Sequence, residues 1–170
     1  MTLVLKAGTD WQTVLEQAAQ AAPEAISVDR LNNLVDGAWV AEGNIKDHVN
    51  PVDGKPILGP SMLGVDRVME AVHAAKKQDE AWAKTTLAER KQKVQKAVDL
   101  MREHRDTLAL LLVWEIGKPW KLACADVDRA LEGVEWYIGE IDRQMEGREP
   151  LGGPISNIAS WNYPMSVLVH

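Results

Sequence analysis

The clearest hydrophobic pattern in the chain lies between residues 119 and 145. Apolar side chains recur there at alternating steps of four and three residues: Trp120, Cys124, Val127, Leu131, Val134, Ile138, Ile141 and Met145. This spacing predicts one long helix with a continuous apolar seam. Asp126 and Asp128 fall away from the seam, so we expect them on a solvated face of that helix.

Two more helices are predicted upstream of this one. Apolar residues from Val65 to Ala75 share one face and predict a helix over 65–82. A second pattern predicts a helix over 87–116, which the polar run at 104–106 can interrupt. Pro119 suits the first turn of the following helix. We expect the three helices to stack on one side of the protein.

Shorter elements are predicted on either side of these helices. Asp10 is a candidate N-cap for a short helix that Pro23 ends. The stretches "NNLVDGAWV" and "DHVNPVDGKPILG" each hold an Asp-Gly pair between apolar runs, which is typical of hairpins. Residues 33–59 are therefore predicted as a small antiparallel patch. Residues 152–160, rich in glycine and then apolar, are predicted as a buried strand.

The composition is that of one globular domain and excludes several classes of partner. Of 170 residues, 46% are hydrophobic and 26% are charged. The net charge of −6 leaves no basic stripe, so nucleic acid is not an expected partner. No apolar run is long enough to cross a membrane, and the start lacks the pattern of a signal peptide. A cytoplasmic location is the expectation.

Cys124 is the single cysteine, which excludes an internal disulfide framework and a cysteine-only zinc site. The four histidines share no ligand spacing with it, and no metal site is predicted. Because Cys124 belongs to the apolar seam, its thiolate form is disfavoured there. Core packing is therefore favoured over a role as nucleophile, and we expect Cys124 to be buried and inert.

The most suggestive stretch for chemistry is Trp161-Asn162-Tyr163-Pro164, near the end of the chain. Pro164 restricts Tyr163 to an extended conformation and can open a helix, so the stretch is predicted as a strand-to-helix crossing. In α/β sheets ligands bind at that edge. The Asn162 amide can donate a hydrogen bond to a developing oxyanion. Alternatively, Asn162 caps the helix and Trp161 packs beneath it, and the residues alone favour this capping role.

Five stretches together resemble the amino-terminal part of NAD(P)-dependent aldehyde dehydrogenases, in their order and spacing. They are "LVDGAWV", "HVNPVDGKPI", "VMEAVHAAKKQDEAW", "LAERKQKVQKAVDLMREHRDTLALLLVWEIGKPW" and "ISNIASWNYPMSV". The resemblance covers residues 33–170. It implies an α/β fold in which 33–170 form an incomplete amino-terminal part of a Rossmann-type cofactor-binding domain. Residues 1–32 would be an extension with a short helix, and the chain alone would be mostly helical with a few short strands.

The resemblance also implies an activity: oxidation of an aldehyde to a carboxylic acid with NAD or NADP, through a cysteine thiohemiacetal and thioester. Asn162 matches the family's amide that stabilises the oxyanion. The segment Ile158, Ala159, Ser160 and Trp161 matches the lining of the cofactor cleft, although the family usually has proline at the position of Ser160. A homodimer or homotetramer is implied for the full-length enzyme.

In this family the nucleophilic cysteine and the general-base glutamate follow the Trp-Asn-Tyr-Pro stretch, and Cys124 matches neither. The expectation is therefore a chain cut within its first cofactor-binding unit, with no catalytic domain and no activity alone. The alternative is a short, non-catalytic helical module for binding or assembly. A reading frame that continues past His170 into a cysteine-containing motif would favour part of a dehydrogenase. A stop codon there would favour the short module.

Overall fold

A computed structural model describes residues 8, 10–27 and 29–169. In this part of the chain the helices are α1 (Trp11–Ala21), α2 (Val65–Ala83), α3 (Leu87–Glu103), α4 (Arg105–Ile116), α5 (Trp120–Met145) and α6 (Pro164–Val169). The strands are β1 (Arg30–Leu31), β2 (Asn33–Val35), β3 (Ala38–Val40), β4 (Asn44–Ile45), β5 (His48–Val49), β6 (Pro56–Ile57) and β7 (Gly59–Met62). The prediction of a mostly helical chain with a few short strands is confirmed.

Helix α4 joins the two parts of the core because it is apolar on nearly every side. One face contributes to a cluster with α1, made of Val14, Leu15, Ala18, Ile26, Leu58, Leu110 and Trp114. Another face packs with α3 and α5 in a cluster of Val98, Ala109, Leu112, Val113, Ala123, Val127, Leu131 and Val134. We call these the α1 cluster and the α5 cluster. The amino-terminal helix is thus packed into the same core as the later helices.

Local signals explain where the helices begin and end. The Asp10 side chain accepts a hydrogen bond from the Gln12 N–H, as predicted for the N-cap of α1. Thr86 and Glu89 form a capping box at the start of α3. The predicted interruption between α3 and α4 is confirmed at His104, whose backbone leaves helical geometry. The predicted helices over 65–82 and 119–145 are confirmed within one residue at each end.

The region predicted as one antiparallel patch consists of two separate hairpins and a mixed sheet. Strands β2 and β3 pair antiparallel around Asp36 and Gly37, whose positive φ angles of 48° and 78° suit a tight hairpin turn. Strands β5 and β6 pair antiparallel around the second Asp-Gly turn. The remaining sheet has the order β1-β7-β4, and β1 pairs with β7 in parallel. The antiparallel pairing predicted for residues 33–59 is confirmed in both hairpins, whereas the parallel pair involves β1, which precedes that range.

Helix α2 departs from the expected stacking. Its apolar face is exposed, with Val65 at 77% and Val68 at 46% of their full accessibility, and the helix contains no buried residue. An ion pair between Arg67 and Glu42 links the helix to the loop after β3, and an open cavity lies between Ala71 and Ala75 of the helix and Leu34 of β2. Periodicity correctly identified the residues that share a face, but it does not indicate what covers that face.

Residues 152–160 do not form the predicted buried strand. Among the described residues no strand pairs with this segment, and Ile155 and Ile158 are about nine-tenths exposed. A strand requires a neighbour for its backbone hydrogen bonds, and Pro154 removes one donor. One anchor of the segment is the Gly153 N–H, which donates to Asp79 on α2 at 2.9 Å.

Candidate functional site

The connection between α4 and α5 has a fixed backbone. Gly117 ends α4 in the left-handed conformation, with φ of 69°, and Pro119 begins the approach to α5. The hairpin β5–β6 lies against the last turn of α4, just before this connection: the His48 ring nitrogen is 3.0 Å from the Trp114 carbonyl oxygen. Lys118, between the glycine and the proline, therefore leaves the backbone in a defined direction.

The Lys118 ammonium forms an ion pair with the Asp126 carboxylate on α5. Both side chains are largely enclosed, with exposed fractions of 15% and 9%. Arg129 is a more distant partner of Asp126, at 3.8 Å. The prediction that Asp126 lies on a solvated face was wrong. Its neighbours at i−3 and i+4, Ala123 and Ala130, are fully buried, so Asp126 lies on the packed side of α5.

The same ammonium reaches the Trp-Asn-Tyr-Pro stretch. It donates a hydrogen bond to the Asn162 carbonyl oxygen at 3.0 Å and lies 4.8 Å from the centre of the Tyr163 ring. That distance is typical of a cation–π contact. The turn before α6 is therefore attached to the helical core through one charged side chain.

Helix α6 is held by two further contacts. Met165 and Val169 pack against the α5 cluster. The Asn157 side-chain amide donates to the Val167 carbonyl oxygen at 2.6 Å. These contacts fix the segment that follows the turn and the segment that precedes it.

The Asn162 side chain is exposed, and it makes no hydrogen bond within the described part of the chain. Helix α6 begins at Pro164, and its first backbone bond runs from the Val167 N–H to the Tyr163 carbonyl oxygen. Asn162 therefore does not cap this helix. Trp161 does not pack beneath it either, since it is 76% exposed. The favoured capping interpretation of this stretch was wrong, and the Asn162 amide is accessible for another role.

The four residues predicted to line a cofactor cleft lie together on the exposed segment before this turn. Ile158, Ser160 and Trp161 are exposed, and Ala159 is half-buried. No charged residue occurs between Ser156 and Tyr163. The segment offers apolar surface and one hydroxyl group beside the Asn162 amide.

Cys124 lies on α5, where it is half-buried against the α5 cluster and therefore less buried than predicted. Burial raises the pKa of its thiol, and the nearby Arg105 guanidinium lowers it in part. The net pKa is higher than usual, so the thiolate that a nucleophile requires is disfavoured at neutral pH.

Sequence reasoning missed Lys118 and Tyr163 as parts of this site. In the sequence, Pro119 indicates only the first turn of a helix, and Tyr163 indicates only an extended residue before Pro164. A usable signal was present in Ala123 and Ala130, which place Asp126 between two small residues on one face of α5. An acidic residue at such a position requires a cationic partner.

The described residues also limit the kind of site. No three side chains of His, Cys, Asp or Glu are arranged to hold a metal ion within residues 8, 10–27 and 29–169. In that same part of the chain, no helix combines the length and the apolar character that a membrane span requires.

The comparisons with known proteins agree with one another. The aldehyde dehydrogenase family matches residues 39–170. An aldehyde dehydrogenase of Deinococcus radiodurans is 30% identical over 152 residues, which cover 80% of this chain and 29% of that protein. The mitochondrial succinate-semialdehyde dehydrogenase of Oryza sativa subsp. japonica is 26% identical over 166 residues, which cover 89% of this chain and 32% of that protein.

A solved structure shows the same fold. It is a Staphylococcus aureus betaine aldehyde dehydrogenase in complex with NAD+, and it matches with a TM-score of 0.70 and 26% identity. The match covers 91% of this chain and 34% of that one. This chain belongs to the aldehyde dehydrogenase family. It spans about a third of the length of the curated relatives that it matches.

Proposed function

We propose that this chain forms part of an NAD(P)-dependent aldehyde dehydrogenase and supplies the Asn162 amide to the oxyanion site of that enzyme. The observation that carries the proposal is the geometry of Asn162. Its carbonyl oxygen is bound by Lys118 at 3.0 Å, while its side-chain amide is exposed. The reaction is the oxidation of an aldehyde to a carboxylic acid through a cysteine thiohemiacetal and thioester. The nucleophilic cysteine lies beyond residue 170.

Asn162 would act on the oxygen of the reacting aldehyde. When a thiolate adds to the carbonyl group, that oxygen becomes an alkoxide. An amide N–H held nearby stabilises the alkoxide more than the neutral aldehyde, so it lowers the activation free energy. The amide has no proton to lose in this step, so its donation does not depend on pH near neutrality.

The segment Ile158–Trp161 would form part of the NAD(P) cleft. The nicotinamide ring, when bound, accepts the hydride. The residues present fit such a group, because Ile158 and Trp161 offer exposed apolar surface and Ser160 offers a hydroxyl for a ribose. The NAD+ in the related Staphylococcus aureus structure supports this cofactor class. An oligomer, a homodimer or a homotetramer, is part of the same proposal.

Cys124 is not the nucleophile in this proposal. Its raised pKa and its place against the α5 cluster support a packing role. The 170-residue chain alone should therefore produce no NAD(P)H from an aldehyde. Production of NAD(P)H by the chain alone, lost in Cys124→Ser, would contradict this assignment.

The test of the proposed function is Asn162→Ala in the complete dehydrogenase. Removal of one oxyanion donor should lower kcat about a hundredfold or more. The melting temperature should change little, because the side chain has no hydrogen bond within the described residues. Asn33→Ala is the matched control: its amide donates to the Ser61 carbonyl oxygen at 2.8 Å, so the change should lower stability while kcat stays within about threefold. Normal turnover in Asn162→Ala would contradict the oxyanion role.

A second candidate function is a non-catalytic binding or assembly module. The exposed apolar face of α2, including Val65 and Met69, favours a contact with another polypeptide. Titration of the purified chain with NAD+ or NADP+ and measurement of its mass in solution separate the two. A stable complex with another protein and a complete enzyme unaffected by Asn162→Ala would favour the module.

A further inference from the structure

Lys118 makes three contacts through one ammonium group. They are the Asp126 carboxylate, the Asn162 carbonyl oxygen at 3.0 Å and the Tyr163 ring at 4.8 Å. An exposed lysine rarely holds a single geometry, because ordering its long side chain costs conformational entropy. Here the side chain is only 15% exposed, so packing already restricts it.

The base of this arrangement is rigid. Gly117 and Pro119 fix the backbone on both sides of Lys118. Asp126 is anchored on α5 between the fully buried Ala123 and Ala130. Two packed helices therefore determine where the ammonium lies, and the turn before α6 is bound to that point.

The choice of acceptor on Asn162 has a chemical consequence. Lys118 binds the backbone carbonyl oxygen, so the peptide is oriented while the side-chain amide stays available. A donor stabilises a developing charge only when its own position is fixed beforehand. A misplacement of about 1 Å can lower a reaction rate about a hundredfold.

We propose that Lys118, held by Asp126, is a positioning residue that orients the Asn162 amide toward the reacting oxygen. This rests on the oxyanion role proposed above for Asn162. Lys118 acts through the Asn162 backbone and through the Tyr163 ring, and it makes no contact with substrate in this role.

The first measurement uses the 170-residue chain labelled with 3-fluorotyrosine. The chain has two tyrosines, Tyr163 beside Lys118 and Tyr137 on α5, which serves as an internal reference. In Lys118→Met the fluorine resonance of Tyr163 should move toward its position in the unfolded chain, while that of Tyr137 stays. The matched control is Lys121→Met, which changes an exposed lysine three residues away and should leave both resonances in place.

A second variant distinguishes the loss of the Lys118 contact from misfolding of the chain. Among the described residues, Lys118→Met leaves the Arg129 guanidinium, 3.8 Å away, as the remaining cationic partner of the buried Asp126 carboxylate. The double variant Lys118→Met/Asp126→Asn removes both charges and avoids an unpaired buried carboxylate. If this folded double variant keeps the Tyr163 resonance unchanged, the turn is not held by Lys118 and the proposal is wrong.

The kinetic measurement uses the complete dehydrogenase. The double variant should lower kcat about tenfold, since the amide remains but is held less well, while the aldehyde KM changes less than threefold. Lys118→Arg should restore most of kcat, because a guanidinium can bind both oxygen partners. Leu110→Ala, in the α1 cluster, should lower the melting temperature without lowering kcat, which separates positioning from general stability.

The outcomes distinguish this inference from the function on which it rests. A large loss of kcat in Asn162→Ala with normal kcat in the double variant would overturn the positioning role and leave the proposed function intact. Normal kcat in Asn162→Ala would overturn both. A loss in both variants, with rescue by Lys118→Arg, is the expected result.

Discussion

Arg105 and Asp128 meet across the interface between α4 and α5 through two charge-assisted hydrogen bonds. The Arg105 Nε lies 2.5 Å from Oδ1 of Asp128, and its Nη2 lies 2.6 Å from Oδ2. Such a bidentate pair fixes geometry as well as charge. The Arg105 hydrogen bond holds the pKa of the Asp128 carboxyl below its usual value. The pair therefore links the stability of this interface to pH.

Asp128→Asn should lower the free energy of unfolding at pH 7 by about 1 kcal/mol, a modest value because the pair is partly exposed to solvent. The folded pKa lies below the unfolded value of about 3.9, so the stabilisation is complete well above that value. It is lost as the pH falls through the folded pKa. Urea unfolding at several pH values should show that the difference in free energy of unfolding between the unmodified protein and Asp128→Asn becomes smaller below about pH 4.

The control for this prediction is Asp99→Asn. Asp99 lies 3.7 Å from Arg102 on the exposed side of α3, so its loss should cost less than about 0.5 kcal/mol. The role given to Asp128 would be contradicted if Asp128→Asn and Asp99→Asn lowered the free energy of unfolding equally. It would also be contradicted if the destabilisation by Asp128→Asn increased toward acid pH.

Cys124 should react slowly with iodoacetamide in the native protein. Burial raises the pKa of its thiol, which lowers the thiolate fraction, and the α5 cluster limits access. At pH 7.5 we expect a rate at least about tenfold below that of the same chain in urea. Mass spectrometry measures both rates at this single cysteine. Equal rates in the two conditions would show that the thiol is activated.

Gly117→Ala and Gly139→Ala should have opposite effects on stability. Gly117 has φ of 69°, and a new Cβ would lie 3.2 Å from two carbon atoms of Pro51, so this change should cost about 1–2 kcal/mol. Gly139 lies inside α5 with open space around its Cβ position, so alanine should stabilise the helix by up to about 1 kcal/mol. Urea midpoints of the two variants measure the signs. A neutral Gly117→Ala would contradict the strained geometry of this connection.

The helices could be predicted from sequence because their signals are local. The seam of α5, the cap at Asp10 and the polar interruption at His104 each depend on residues within a few turns of one another. The two Asp-Gly hairpins are predictable for the same reason. Periodicity also assigned the faces of α2, but the surroundings of that helix depend on distant parts of the chain.

The site required information that local pattern does not contain. Asn162 was identified through resemblance, whereas its attachment to Lys118 joins residues 44 positions apart. The prediction of a strand at 152–160 was wrong for a related reason, because a strand depends on a neighbouring strand whose position the sequence alone does not give. Asp126 was assigned to solvent because one seam was considered, although α5 buries a wider face that includes Ala123 and Ala130.

The parallel pairing of β1 with β7 has a consequence for the order of folding. Both hairpins, β2–β3 and β5–β6, lie between these two strands in the sequence, and each closes over a short turn. The pairing of Arg30 with Gly59 must instead close a long loop, which costs more chain entropy before any contact forms. Contacts of α4 with its sequence neighbours should therefore appear early, and the mixed sheet should be the slow, late step of folding.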